Sequence, residues 1–206
     1  MISGFIAQKG SMTNIYLENG SRVAATRCRV SPLIVTQVKT TEKDGYQSIQ
    51  VAYGNRKRQD QSTSRKLNKL SLSLTPKGFK EFTRATDDPL NVGDSIEIDK
   101  VLQPGDSIAV TATSKGHGFA GVIKRWGFQR QPVTGGQSDR VRAPGSIGAQ
   151  TPGKVVKGKK MPGHYGNVTK TIKGLKILKV DLTSKEILIS GPVPGHLGSW
   201  LVVTKL

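Results

Sequence analysis

Between Ser114 and Gly166 the chain places ten lysines and arginines, twelve glycines and a single acid, Asp139. The chemistry open to such a mixture is electrostatic. Lysine and arginine neutralise phosphates and release their counterions. Glycine lets the backbone approach a crowded surface. Guanidinium planes and aromatic rings stack on exposed bases, a contact worth about 1–3 kcal/mol per base. Lys124-Arg125-Trp126 and Lys157-Gly158-Lys159-Lys160-Met161 combine these ingredients most densely. The candidate nucleic-acid contacts begin with Lys115, His117, Lys124, Arg125, Trp126 and Arg130. They continue with Arg140, Arg142, Gln150, Lys154, Lys157, Lys159, Lys160 and His164. Contact with about ten phosphates gives a slope of log affinity on log salt near −7 to −9. Trp126 has two readings, a ring that stacks on or packs against RNA and a small local core residue at the base of the segment.

Two glycine patterns imitate nucleotide sites. Gly116-His117-Gly118-Phe119-Ala120-Gly121 matches G-x-G-x-x-G, which needs a helix opening at its third glycine to meet a pyrophosphate. Gly127, Pro132 and Gly135-Gly136 follow too closely for a helix of useful length. Gly153–Lys160 nearly spells a phosphate-binding loop, but its last position is Lys160, where a Ser or Thr should ligate magnesium. Pro162-Gly163 then stops any following helix. His117, His164 and His196 share no metal-ligand spacing, and one cysteine completes no zinc set. No nucleophile elbow is present, so no enzyme, cofactor or small-molecule substrate is expected.

The whole chain carries the same bias, with 32 Lys and Arg against 14 Asp and Glu and a formal charge of +18. A compact domain so charged repels itself unless a polyanion neutralises it. Nucleic acid is the first such partner and an anionic membrane the second. No stretch approaches the roughly 18–20 apolar residues of a spanning helix, and the run from Met1 to Lys9 lacks the plan of a signal peptide. The lone Cys28 excludes an internal disulfide and sits in a strand-like run, where it reads as a buried filler rather than a reactive thiol. The default location is cytoplasmic.

The elements that must position the basic segment read mainly as β. Ile15–Leu17, Val23–Val30, Leu33–Thr40 and Tyr46–Tyr53 are strand-like, with Asn19-Gly20 and Asp44-Gly45 as hairpin signals. Arg56–Leu74 is basic, and a short helix is expected around Ser64–Leu72. Gly93-Asp94-Ser95-Ile96 and Gly105-Asp106-Ser107-Ile108 repeat one tetrapeptide. The echo reads as shared turn chemistry feeding strands at Ser95–Asp99 and Ser107–Thr113. Ile172–Val180, Lys185–Ser190 and Trp200–Thr204 complete a set that suggests a small closed or nearly closed barrel. The basic segment has too few apolar residues for a core, and a loop of that length inside a compact domain means function or disorder. Trp126, Phe119, Phe128, Met161 and Tyr165 are unusual in a linker, so the segment is expected to order against its partner.

At this point the sequence resembles the bacterial type of the universal large-subunit ribosomal protein three family. Thr113–Trp126, Pro144–Gly148 and Gly153–Gly163 resemble its signature, with supporting runs at Met12–Tyr16 and Gly191–Gly195. The resemblance spans essentially the whole chain. It implies a six-stranded closed barrel of the translation elongation factor type formed by 1–113 and 167–206, with an inserted basic α+β subdomain at about 54–92. It also implies that 114–166 is a long rRNA-penetrating arm directed toward the peptidyl-transferase centre, its tip near 124–130 and 144–151. The implied protein is a non-catalytic structural constituent of the large subunit. Its partners would be 23S-type rRNA, whose assembly it helps nucleate, and neighbouring ribosomal proteins, and its place the cytoplasmic ribosome. Gln150 falls near a glutamine that is methylated in some members, although Gly148–Thr151 is one residue shorter here. The family's histidines near Gly135-Gly136 and Ser138-Asp139-Arg140 are absent, its N-terminal basic pair is reduced to Gln8-Lys9, and Ser11 replaces a usual glycine. Rival readings are a non-ribosomal RNA chaperone or polyanion binder, and a phosphate-handling enzyme built on one of the glycine loops.

Overall fold

The computed structural model describes residues 2–83 and 90–206, so the stretch 84–89 of the expected insertion lies outside the described residues. The chain forms two compact units. The first runs to Thr113 and resumes from Thr169 to Leu206, and the second is Ser114–Val168.

The order begins with β1 (Gly4–Tyr16), β2 (Arg22–Val30), β3 (Leu33–Lys39), α1 (Thr41–Asp44) and β4 (Ser48–Tyr53). Then come α2 (Gln61–Lys69), β5 (Gly78–Thr83), β6 (Ser95–Ile96), a 3₁₀ turn at Ile98–Lys100 and β7 (Ser107–Thr113). The second unit holds β8 (Phe119–Ala120), α3 (Val122–Trp126) and β9 (Gly163–His164). The first unit then finishes with β10 (Thr169–Asp181), β11 (Glu186–Ser190) and β12 (Trp200–Lys205).

The chain is mainly β. Six antiparallel strands follow one another as β1, β12, β7, β10, β11 and β2, and β2 pairs back onto β1. Strict alternation in β11 and β12 turns Ile187, Ile189, Leu201 and Val203 inward. Phe5, Ala7, Cys28, Ile108, Val110 and Ile177 join them in one apolar cluster. Burying an aliphatic side chain of this size contributes about 1.5–3 kcal/mol. A second sheet, ordered β5, β4, β3, β6, adds Leu33, Val35, Ile49, Val51, Phe82 and Ile96 to the same cluster. Gly4 permits this packing, because a Cβ there would lie 2.5 Å from the Val203 carbonyl and 2.9 Å from the Phe82 ring.

The first strand is far longer than the Ile15–Leu17 read from sequence. Its pairing with β2 shifts register between Lys9 and Met12, and the bulge breaks the two-residue alternation that would have revealed it. Asn19-Gly20 does close the β1–β2 hairpin, with Gly20 at φ +77° and its N–H bonded to the Leu17 carbonyl. Asp44-Gly45 lies in the connection between β3 and β4, which pair antiparallel as expected, and there Gly45 takes the left-handed conformation that caps the single turn of α1. The basic helix begins and ends one turn earlier than expected. Leu67 is its buried anchor, and Lys66 lies 4.9 Å from the Phe79 ring centre while bonding Gln50. Ser95–Asp99 is a two-residue strand followed by the 3₁₀ turn, and β5 had no clear sequence signal because Lys80 and Glu81 interrupt its apolar residues.

The repeated tetrapeptide is the same turn built twice. Asp94 accepts the Asn91 N–H at 2.7 Å and Asp106 accepts the Gln103 N–H at 2.9 Å. Gly93 and Gly105 take φ of +99° and +92°. Lys9 secures the loop before β12, its ammonium donating to the carbonyls of Val193 at 2.7 Å and Gly195 at 2.8 Å. Replacing Lys9 with Met should lower unfolding free energy by about 1.5–3 kcal/mol, the range for hydrogen bonds to a charged group, as read by urea titration of the purified chain. Cys28 is fully buried, and burial pushes its thiol up to about 12. It should therefore resist iodoacetamide at pH 9, where a free thiol is largely ionised, and react once the chain is unfolded. Fast alkylation of the folded chain would contradict this burial.

Candidate nucleic-acid interface

The second unit starts from two chain segments zipped together. The Ser114 N–H bonds the Val168 carbonyl at 2.9 Å, the His117 N–H bonds the Tyr165 carbonyl at 2.9 Å, and the Tyr165 N–H returns to the Gly118 carbonyl at 2.9 Å. The pairing continues as β8 against β9, with Phe119 opposite His164 and Ala120 opposite Gly163. The rings of His117 and Tyr165 stack at 5.0 Å between centres and 19° between planes. Gly166 makes the close approach possible. It sits at φ +74°, and a Cβ there would fall 2.0 Å from the Lys115 carbonyl oxygen.

A helix does open at the third glycine of the G-x-G-x-x-G pattern, but it is only the five residues of α3. Gly127 ends it at φ +72°, donating its N–H to the Ile123 carbonyl. Arg125 and Trp126 at its end reach across to one backbone atom. The Arg125 guanidinium donates to the Met161 carbonyl at 2.7 Å and the Trp126 indole N–H donates to the same oxygen at 2.9 Å. The Arg125 guanidinium lies 5.0 Å, and the Lys160 ammonium 5.7 Å, from the centre of the Trp126 ring.

From Gly127 to Lys160 the backbone is held by turns. The Gln131 N–H bonds the Val141 carbonyl, the Gly153 N–H bonds the Gln150 carbonyl, and the Lys159 N–H bonds the Val156 carbonyl. The second phosphate-loop look-alike, Gly153–Lys160, leads into no helix. Among the described residues only Ala120 and Val122 are buried hydrophobics in this unit, while Phe119 is 80% exposed and Val156 67% exposed. None of its residues belongs to the apolar cluster of the first unit.

The structure thus brings together Arg125, Trp126 and Lys160, and sets His117 on Tyr165. It leaves Lys115, Lys124, Arg130, Arg140, Arg142 and Gln150 exposed at separate positions. Lys154, Lys157, Lys159 and His164 are exposed too. No ion pair among the described residues falls within the unit, so its positive charge faces solvent. Trp126, at 42% exposed, is neither a free ring nor a buried core residue. Sequence reading named Met161 for its side chain, whereas what matters there is its main-chain oxygen. It also left out the exposed cations Arg65 and Lys69 on α2 and Lys170, Lys173, Lys176 and Lys179 on β10. The basic run at 56–74 and the recurring lysines at 170–179 were the available signal. Among the described residues no group of His, Cys, Asp and Glu could hold a metal ion, and no helix is long and apolar enough to cross a membrane.

The family described as ribosomal protein L3 matches residues 79–190. A large ribosomal subunit protein uL3 from Herpetosiphon aurantiacus is 41% identical over all of this chain and 97% of its own length. Proteins of the same description from Laribacter hongkongensis and Alcanivorax borkumensis are 40% and 42% identical, each aligned over 98% of this chain and 96% of the relative.

Replacing Gly166 with Ala should pull apart the paired segments at 114–118 and 165–168, since it combines a backbone clash with a left-handed conformation that costs a non-glycine residue about 1 kcal/mol. Limited proteolysis should then cut within 114–168 several-fold faster than in the parent chain, with the first unit still resistant.

Proposed function

The chain belongs to the ribosomal protein L3 family, and from that premise we propose that its second unit is an rRNA-binding arm. Family membership makes it a structural component of the large ribosomal subunit and not an enzyme. What supports the RNA reading most is one observation. Residues 114–168 hold ten exposed or half-exposed lysines and arginines up to Gly166 against one acid, with two small buried hydrophobics to hold them. A segment of that composition gains order from a polyphosphate partner.

In this reading the arm residues divide by task. Lys154, Lys157, Lys159 and Lys160 neutralise phosphates along one basic turn. Lys115, Lys124, Arg130, Arg140 and Arg142 do the same elsewhere, while His117 and His164 sit within the paired segments that carry the arm. The ring of six strands is the closed barrel of the elongation factor type and carries the inserted α+β subdomain at about 54–92. The partner is 23S-type rRNA, bound early enough to help nucleate subunit assembly, and the arm runs toward the peptidyl-transferase centre. Neighbouring large-subunit proteins are the second class of partner. Gln150 is exposed beside the turn at Gly153, and it falls near the glutamine that some family members methylate.

Replacing Lys157, Lys159 and Lys160 together with Glu should sharply reduce rRNA binding at moderate salt. In sucrose gradients the tagged variant should sediment with free protein, while the parent chain stays with large subunits through a moderate salt wash. Normal incorporation of the triple variant would count against the arm reading. Parent chain that washes off the subunit would favour a non-ribosomal polyanion binder.

A further inference from the structure

We infer that Trp126 is a positioning residue, which with Arg125 latches the lysine turn to α3 through the Met161 carbonyl and does not itself stack on a base. The inference rests on the RNA-binding reading above. A carbonyl oxygen has two lone pairs, and α3 takes both, one through the Arg125 guanidinium and one through the Trp126 indole N–H. The two bonds span 36 and 35 residues of sequence. They are the long-range side-chain hydrogen bonds of this unit that tie α3 to the chain leaving the lysine turn.

Three further observations point the same way. Lys160, the last cation of that turn, is drawn over the Trp126 ring at 5.7 Å, and Arg125 lies 5.0 Å from it, so the ring already serves two cations. Gly163 keeps a space clear, since a Cβ there would lie 2.6 Å from the nearest Arg125 nitrogen. The turn itself has little else to fix it, with Val155 and Val156 exposed and the Val156–Lys159 bond the main-chain contact inside it. Holding its exit against α3 presents the lysines in one arrangement before RNA arrives, which lowers the ordering cost of binding.

The experiment separates a stacking ring from a latch by counting phosphates. Binding of full-length large-subunit rRNA transcript is measured across a salt series for the parent chain and for Trp126→Phe, Trp126→Ala and Gly163→Ala. A latch needs the indole N–H, so Trp126→Phe and Trp126→Ala should both flatten the slope of log affinity on log salt, by up to about 3 if all four lysines at 154–160 disengage. Gly163→Ala, which keeps every charge and the ring, should flatten it in the same sense. Crosslinking at Lys154–Lys160 should fall in these variants while that at Arg140 and Arg142 persists. Parent-like binding by Trp126→Phe, with Trp126→Ala losing affinity at an unchanged slope, overturns the latch in favour of stacking. An unchanged slope in all three variants also overturns it. Parent chain that shows no salt-dependent binding would sink the RNA reading itself, an outcome distinct from failure of the latch alone.

Discussion

The constraint on which the rest depends is that residues 114–168 carry a large positive charge and almost nothing to bury. Ordering one residue costs about 1–2 kcal/mol of backbone entropy, and a domain normally offsets this by removing apolar surface from water. Here Ala120 and Val122 are the buried hydrophobics among the described residues of the unit, and ten cations face one acid. The segment is therefore ordered by a few hydrogen-bonded devices, namely the paired chain ends, the single turn of α3 and the Met161 carbonyl. In the proposed reading a polyanion supplies what a core supplies elsewhere, and cancels the self-repulsion as it does so.

The first unit meets the opposite specification. Its strands bury a continuous apolar cluster, and some of its polar groups fix connections. Lys9 shows the difference in the use of a cation. Its ammonium is committed to the carbonyls of Val193 and Gly195, whereas the lysines at 154–159 are exposed. The pairing of Thr113 with Thr169 across β7 and β10 holds the two points where the chain leaves and rejoins this unit side by side.

Legibility in the sequence followed the range of the interactions. The strands β2, β3, β7, β11 and β12 were read nearly at their bounds, because residue composition and flanking turns are local. The shared Asp turn at Asn91–Asp94 and Gln103–Asp106 was legible for the same reason. The first strand was hidden by its bulge between Lys9 and Met12, and β5 by charged residues within a short edge strand. The cations of the candidate interface could be listed from composition alone. The role of Trp126 could not, since its partner is a main-chain oxygen 35 residues away, and no residue type advertises a carbonyl.

The glycine patterns that imitate nucleotide sites fit into the same account. A dinucleotide fold and a phosphate loop bind by aiming main-chain N–H groups and a lysine at phosphate, and each encloses one ligand at the start of a long helix. This chain keeps the glycines and the lysines, but α3 has five residues and Gly153–Lys160 leads into no helix. With no helix dipole to concentrate the field, the same residue types make an open surface. Such a surface suits a partner whose phosphates recur along a chain, each met by a separate cation.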